Sequence, residues 1–329
     1  MYDFRKDRLE GFIHYYIEQI KYKDCDPSIP LCNYIFDRLE YNIEQRLWMC
    51  WLYGNTYNLP TSYLIWNEFP DFENVSLKRL ERFNTELFKK LPYQVDCKWS
   101  KGYLPVMYQS YKSMVDKHGS QYNLFKSKIG KTPQDTFNNL YNTFITEQYK
   151  FGRYCTWFYL QIVKHTTNLE MEPSSLYLTD GSSHSHKDGL LLALGRDDEV
   201  SSFYENGVTK TVRQVKKLTN VQVIELEKQA DMILSESRKR LDTDFIDRFS
   251  LETSLCSYKK LFRYKRGRYI GYYLDRQSEE IMKVEENKSI EWKIFWDYRK
   301  EVLNKYNLFH STISTDRMKL FLEKGIFCE

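Results

Sequence analysis

The sequence predicts a mainly α, multi-helical protein of about a dozen helices with few short strands. Three observations carry that expectation. Apolar residues recur at three-to-four spacing along most of the chain, helix start and stop residues punctuate those patterns, and neither a repeat nor a low-complexity tail interrupts them. Phe4, Leu9, Phe12, Ile13, Tyr16, Ile17 and Ile20 share one face of a first helix, which "DPSIP" breaks at Pro27 and Pro30. Ile35, Phe36, Leu39, Ile43, Leu47 and Cys50 then form one stripe, with Asp37, Arg38, Glu40, Glu44 and Arg46 off it. This predicts a single helix of about five turns ending at Gly54, with Pro60 opening the next.

Ser76 is the expected N-cap of a helix that ends before Pro92, and another helix is entered at Pro105. Thr132 and Pro133 read as N-cap and first helical residue of a pair of helices divided near Gly152. Residues 170–210 change character. "EPSSLYLTDGSSHSHKDGLLLALGRDDEVSS" is rich in Ser, Gly and Asp, and reads as loop, short apolar helix "GLLLALG", then loop. Helical patterns resume at "TVRQVKKLTNVQVIELEKQADMILSESRKR", "DFIDRFSLETSLCSYKKLFRYKRG" and "SIEWKIFWDYRKEVLNKYN", with a short one near "STDRMKLFLEK" and "GRYIGYYLDRQ" extended at its start. The expected organisation is an N-terminal helical lobe over 1–165, a loop region carrying the site over 166–215, and a C-terminal helical lobe over 216–329, or one integrated domain.

Composition bounds the function. The 329 residues are 42% hydrophobic and 29% charged, as in ordinary globular chains. The 27 Tyr, 20 Phe and 7 Trp are many. Such rings serve a core or stack on bases. A net charge of +4 does not demand a polyanion, so local patches matter more than the sum. No apolar run approaches the ~20 residues that span a bilayer, and "MYDFRKDRLEGFIHYY" is no secretory leader, so an intracellular, cytoplasmic protein with no membrane partner is expected. Seven Cys without regular spacing or CxxC argue against a disulfide framework and a zinc site, and no metal ligand set is predicted. Walker A, GxGxxG, HExxH and GxSxG motifs are absent from the sequence.

Three segments carry candidate chemistry. In "TDGSSHSHKDGL", Asp180, Ser182, Ser183, His184, His186, Lys187 and Asp188 gather before a helix start, where backbone N–H groups and the helix dipole favour anions. The alternative is a solvated loop with Asp188 as helix cap. In "DRLEYNIEQRLWMCWLYGNTYNLP", Trp48, Trp51 and Tyr53 can stack a base and Asn55 can read a base edge; an amphipathic helix with buried Trp is the competing reading. In "FRYKRGRYIGYYLDR", Arg263, Lys265, Arg266, Arg268 and Arg276 interleave with tyrosines, which suits a nucleic-acid backbone or a solvated charge run.

Those segments, with "KFGRYCTWFYLQ" and "LETSLCSYKKLFR", resemble in the same order the phage amino acid:DNA transferases, also described as α-glutamyl/putrescinyl thymine pyrophosphorylases. The resemblance covers about residues 1–310. One departure is in the loop, where the family more often reads Ser-His-Arg-Asn-Gly-Leu. Here it is Ser185-His186-Lys187-Asp188-Gly189-Leu190, a point charge in place of a bidentate guanidinium. The resemblance implies a fold distantly linked to helical DNA glycosylases, and a substitution on phage DNA. A separate kinase pyrophosphorylates 5-hydroxymethyl-uracil, and the transferase replaces pyrophosphate with the amine of an amino acid, such as glycine or glutamate, or of a polyamine.

Under that resemblance Arg153, His186 and Lys187 meet the pyrophosphate, and Arg38, Ser182, Lys259 and Arg263 are further pyrophosphate or DNA contacts. Asp180 or Asp188 binds the amine or acts as base. Asp275 and Arg276 grip the amino acid, with Glu252 as a further amino-acid contact, though Glu252 and Lys259 can equally be structural. If the base flips, Trp51 or Tyr53 stacks on it. No cofactor motif is evident, although magnesium can accompany pyrophosphate. The competing functions are a helical glycosylase-like enzyme that cleaves, the helical kinase of the same pathway, and a non-catalytic DNA-binding protein. The first calls for a helix–hairpin–helix signature, and "GRYIGYY" does not supply a convincing one.

Overall fold

The computed structural model describes residues 7–92, 100–179, 184–205, 208–211, 218–261, 270–286 and 290–305. In chain order their helices are α1 (Arg8–Lys21), α2 (Ser28–Arg38), α3 (Ile43–Thr56), α4 (Leu59–Glu68), α5 (Leu77–Glu86), α6 (Ser100–Asp116) and α7 (Gln121–Lys126). There follow α8 (Pro133–Glu147), α9 (Arg153–Thr167), α10 (Ser185–Ala193), α11 (Asn220–Arg240), α12 (Arg248–Leu261), α13 (Tyr272–Glu285) and α14 (Lys293–Lys305). A single antiparallel hairpin, β1 (Ser202–Glu205) with β2 (Val208–Thr211), stands among them, Glu205 pairing with Val208. The mainly α expectation therefore holds.

Much of the helix punctuation follows the sequence signals. Asn58, Ser76 and Thr132 accept N–H groups three residues on, Pro60 and Pro133 stand in first turns, and Gly152 separates α8 from α9. Several boundaries differ. Helix α11 starts at Asn220, capped by Thr219, and not at Thr211, which pairs in β2. The expected five-turn helix is two, because Asn42 accepts the Gln45 N–H at 3.0 Å while Gln45 Oε1 accepts the Asn42 N–H at 3.0 Å, a capping box that restarts the helix. Glu40 turns the chain before it at φ 52°. Helix α3 runs past Gly54 and stops at Tyr57, φ 45°. Pro105 lies inside α6 rather than at its entry. Helix α7 was not expected; Ser120 and, from α3, Glu44 accept the N–H groups of its first turn, Glu44 at 3.1 Å from Gln121 N and 2.9 Å from Tyr122 N. The segment near "STDRMKLFLEK" lies outside the described residues.

The described residues of Met1–Pro27, Ser175–Ser278 and Arg299–Glu329 form one compact unit, and those of Ser28–Ser174 and Glu279–Tyr298 a second. Neither is a consecutive stretch, unlike the lobes expected from sequence order. The second unit has an aromatic core. Trp51 stacks between Trp48, at 5.2 Å, and Tyr111, at 5.1 Å, and the Tyr111 and Tyr159 hydroxyls meet at 2.9 Å. A Cβ at Gly54 would lie 2.8 Å from Cβ of Tyr159, so glycine is what lets α3 approach α9 so closely. In the first unit α1, α10, α11 and α12 pack Phe12, Leu190, Ile233, Leu255 and Tyr258 together, Phe12 meeting Tyr258 edge-on at 5.1 Å. Burial of this kind is worth roughly 1.5–3 kcal/mol per large side chain.

Candidate active site

Helix α10 begins at Ser185, with His184 at its N-cap position. His186, Lys187 and Asp188 are therefore helical residues in its first turn or just after it, not loop residues before it, and Asp188 is no cap. The correction has a packing cause. A Cβ at Gly189 would lie 2.0 Å from the carbonyl oxygen of Leu255, so α10 crosses α12 backbone to backbone at that residue. On α12 the residues Glu252, Leu255, Cys256 and Lys259 follow the spacing of one helix stripe. The crossing brings that stripe onto α10.

The polar partners meet there. Nδ1 of His186 lies 3.3 Å from Oε1 of Glu252, both residues being buried. Lys259 Nζ donates to Oδ2 of Asp188 at 2.5 Å. Ser201 donates to the same carboxylate twice, from its hydroxyl to Oδ2 at 2.5 Å and from its N–H to Oδ1 at 3.0 Å. Both charges of the Asp188–Lys259 pair are thus removed from water but matched, which a buried pair requires. Lys187 is buried too, and burial holds its ammonium below the usual lysine range, with Asp188 opposing that shift. The Sγ of Cys256 lies 3.7 Å from Oε1 of Glu252. Burial, and after it the Glu252 charge, pushes this thiol well up. Candidate ligand atoms of His186, Glu252 and Cys256 all fall within 4.8 Å of one another.

Of the residues singled out in the sequence, the crossing unites His186, Lys187, Asp188, Glu252 and Lys259. Others are placed elsewhere. Trp51, Tyr53 and Asn55 are core residues: α3 is buried on all sides from Leu47 to Thr56, other rings cover Trp51, and the Asn55 amide donates to Trp51 O at 2.8 Å. That corrects the stacking and base-reading roles, and the signal was present, since a helix apolar all round is an interior one. Asp275 is buried and accepts from Arg299 at 3.0 Å, so its charge is matched by Arg299 rather than offered beside Arg276, which is half-buried. Arg38 is exposed at the end of α2, 5.3 Å from the Tyr34 ring. Arg153 opens α9 in the second unit, half-buried, its guanidinium 5.8 Å from the Trp157 ring. Asp180, Ser182 and Arg263 lie outside the described residues. Sequence reasoning missed Ser201, Cys256 and the crossing role of Gly189.

Comparison with known proteins decides the class. The profile of the family described as "Amino acid:DNA transferase" matches residues 23–266, about three quarters of the chain and the whole of the α10–α12 crossing. The chain belongs to the amino acid:DNA transferase family. A "Serinyltransferase" of Salmonella phage ViI is 25% identical over 295 residues, covering 85% of this chain and 70% of that protein. No solved structure matches. This amino acid:DNA transferase is an enzyme of that transferase class, with DNA and an amino acid as the family's reactants. No helix among its described residues is long and apolar enough to cross a membrane.

Proposed function

We propose that this transferase replaces the pyrophosphate of 5-pyrophosphoryloxymethyl-deoxyuridine in phage DNA with the amine of an amino acid or polyamine. The observation that supports the reading best is the charged α10–α12 crossing, which lies inside the family-matched span and gathers His186, Lys187, Asp188, Glu252 and Lys259 in one place. The amine nitrogen bonds to the exocyclic carbon on C5, the bond from that carbon to the pyrophosphate oxygen breaks, and the amine gives up a proton. Departure of the pyrophosphate calls for cations on its oxygens. Lys187 takes that role, with Arg263 as a further contact, and Arg153 and Arg38 are proposed as contacts to DNA. Asp188 holds Lys259 in place, so the amine-deprotonating carboxylate is assigned to Asp180, beside Ser182 in the segment leading to α10. Arg276 is the residue proposed for the amino acid carboxylate. Whether the base is flipped is left to the DNA, because the reacting carbon already faces the major groove.

The test is pyrophosphate release from DNA carrying 5-pyrophosphoryloxymethyl-uracil, with serine, glycine, glutamate and putrescine supplied singly. Digested nucleosides are then read by mass spectrometry. Serine comes first because of the name of the phage ViI relative. Release with a matching mass gain for one donor is expected, and Lys187→Met should slow it by about a hundredfold or more. Folded protein that releases no pyrophosphate with any amine would overturn the reading.

A further inference from the structure

We propose that His186, Glu252 and Cys256 form a three-ligand site for a transition-metal ion, zinc by the chemistry of its donors. The geometry carries the proposal. Two edges of the cluster are 3.3 Å, from His186 Nδ1 to Glu252 Oε1, and 3.7 Å, from Cys256 Sγ to the same oxygen. Metal–ligand bonds of roughly 2.0–2.3 Å at tetrahedral angles give nitrogen–oxygen and sulfur–oxygen edges of about 3.3–3.6 Å. The remaining edge, between His186 and Cys256, is within 4.8 Å.

The supports of the ligands are equally specific. Glu252 and Cys256 stand one helical turn apart on α12, so both point to the same side. His186 is brought to them by the Gly189 crossing, which tolerates no side chain. One imidazole, one carboxylate and one thiolate suit a borderline-soft ion; magnesium, which demands oxygen ligands, does not fit. A divalent ion also neutralises the thiolate and the carboxylate together, which matters where Glu252 and His186 are buried. The neighbouring Lys259 is already matched by Asp188. Cys256 is only half-buried, which leaves a route in. Three protein ligands leave the fourth position open, as in zinc sites that bind an exchangeable oxygen ligand rather than closed structural ones.

The decisive experiment is metal binding by the full chain. Zinc content is measured by mass spectrometry after dialysis against metal-free buffer, and affinity by competition with a chromophoric chelator. Cobalt(II) is then added to the apo-protein. About one zinc per chain is expected, and the cobalt form should show thiolate-to-cobalt charge-transfer absorption in the near ultraviolet. Cys256→Ser should abolish that absorption and weaken zinc at least about tenfold, while Cys50→Ser, a buried thiol of the second unit, should leave both unchanged. Because a variant can fail to fold, alkylation of the unaltered protein gives a second readout: zinc should protect Cys256 selectively. A cobalt complex without sulfur absorption, zinc bound equally by folded Cys256→Ser, or Cys256 alkylated at the same rate with and without zinc would each overturn the site. None of these readouts depends on amino acid transfer.

Discussion

Two helix crossings in this molecule use the same device for different ends. At Gly54 helix α3 approaches α9, and at Gly189 helix α10 approaches α12; an added Cβ would lie 2.8 Å from a side-chain carbon in the first and 2.0 Å from a backbone oxygen in the second. Around Gly54 the gap is closed by rings, with Trp51, Tyr111 and Tyr159 in contact. Around Gly189 it is closed by His186 with Glu252 and by Asp188 with Lys259. The contrast extends to whole units: every buried charged side chain among the described residues belongs to the unit containing α10 and α12. Aromatic burial maximises stability, whereas buried charge is at best neutral for it. Among the described residues the charges that carry this cost are thus confined to the unit that holds the proposed site.

The sharpest way to break this contrast is at the charges. Lys259→Met leaves Asp188 buried without its cation and should cost about 3–5 kcal/mol in urea unfolding. Asp188→Asn in the same chain should restore much of that, because neither charge then remains. A pair that shows no such coupling would mean the crossing is held by its apolar contacts alone, as the aromatic one is.

A pH profile is the next test. Burial lifts the Asp24 carboxyl, which accepts the Leu274 N–H at 3.0 Å, from 3.8 to about 7. A raised carboxyl pKa means the folded state keeps a proton that the unfolded chain loses. The penalty is absent below pH 4, grows as pH rises through the window between these values, and is full above 7, at most about 4 kcal/mol. Asp24→Asn keeps an acceptor for Leu274 and should be the more stable form at pH 8, with a flatter profile between pH 4 and 7. Urea midpoints of both proteins at pH 5 and 8 decide it; parallel shifts in the two would remove Asp24 as the cause.

Direct comparison of the glycines follows. Gly189→Ala drives a methyl into backbone that cannot rotate aside and should cost about 3 kcal/mol, with loss of amino acid transfer. Gly54→Ala meets the Cβ of Tyr159, which no rotamer moves, but at 2.8 Å rather than 2.0 Å, and should cost less, about 1–2 kcal/mol. Equal costs would show that α10 and α12 separate easily, and that the polar contacts do not depend on the close approach.

These differences explain what the sequence could and could not reveal. Helices with caps and proline starts were legible because a cap acts within three residues; Thr132, Pro133 and Gly152 stand where the pattern put them. The Asn42 capping box was equally local, but a continuous apolar stripe hid it. At the site, "SHKDGL" was visible as a polar cluster, and Glu252 and Lys259 as candidate residues on one predicted helix, with Cys256 between them passed over. Their meeting was not, since it depends on a glycine contacting a carbonyl 66 residues further along the chain. Ser201, reaching Asp188 from beyond the end of α10, carried no local signal.

Caps supply the smallest effect and a control on all the others. Asn42 in the aromatic unit and Thr219 in the charged one each accept the N–H of the residue three further on within a capping box. Each replaced by Ala should cost about 1 kcal/mol. The two costs should agree, because a cap exchanges the same local hydrogen bonds whatever the core behind it contains. Neither should alter the rate of amino acid transfer at a temperature where both variants are folded. If Thr219→Ala matched Asn42→Ala in stability yet slowed transfer, the contrast between units would need redrawing. The start of α11 would then belong to the reacting region, and the boundary of the chemistry would extend beyond the α10–α12 crossing.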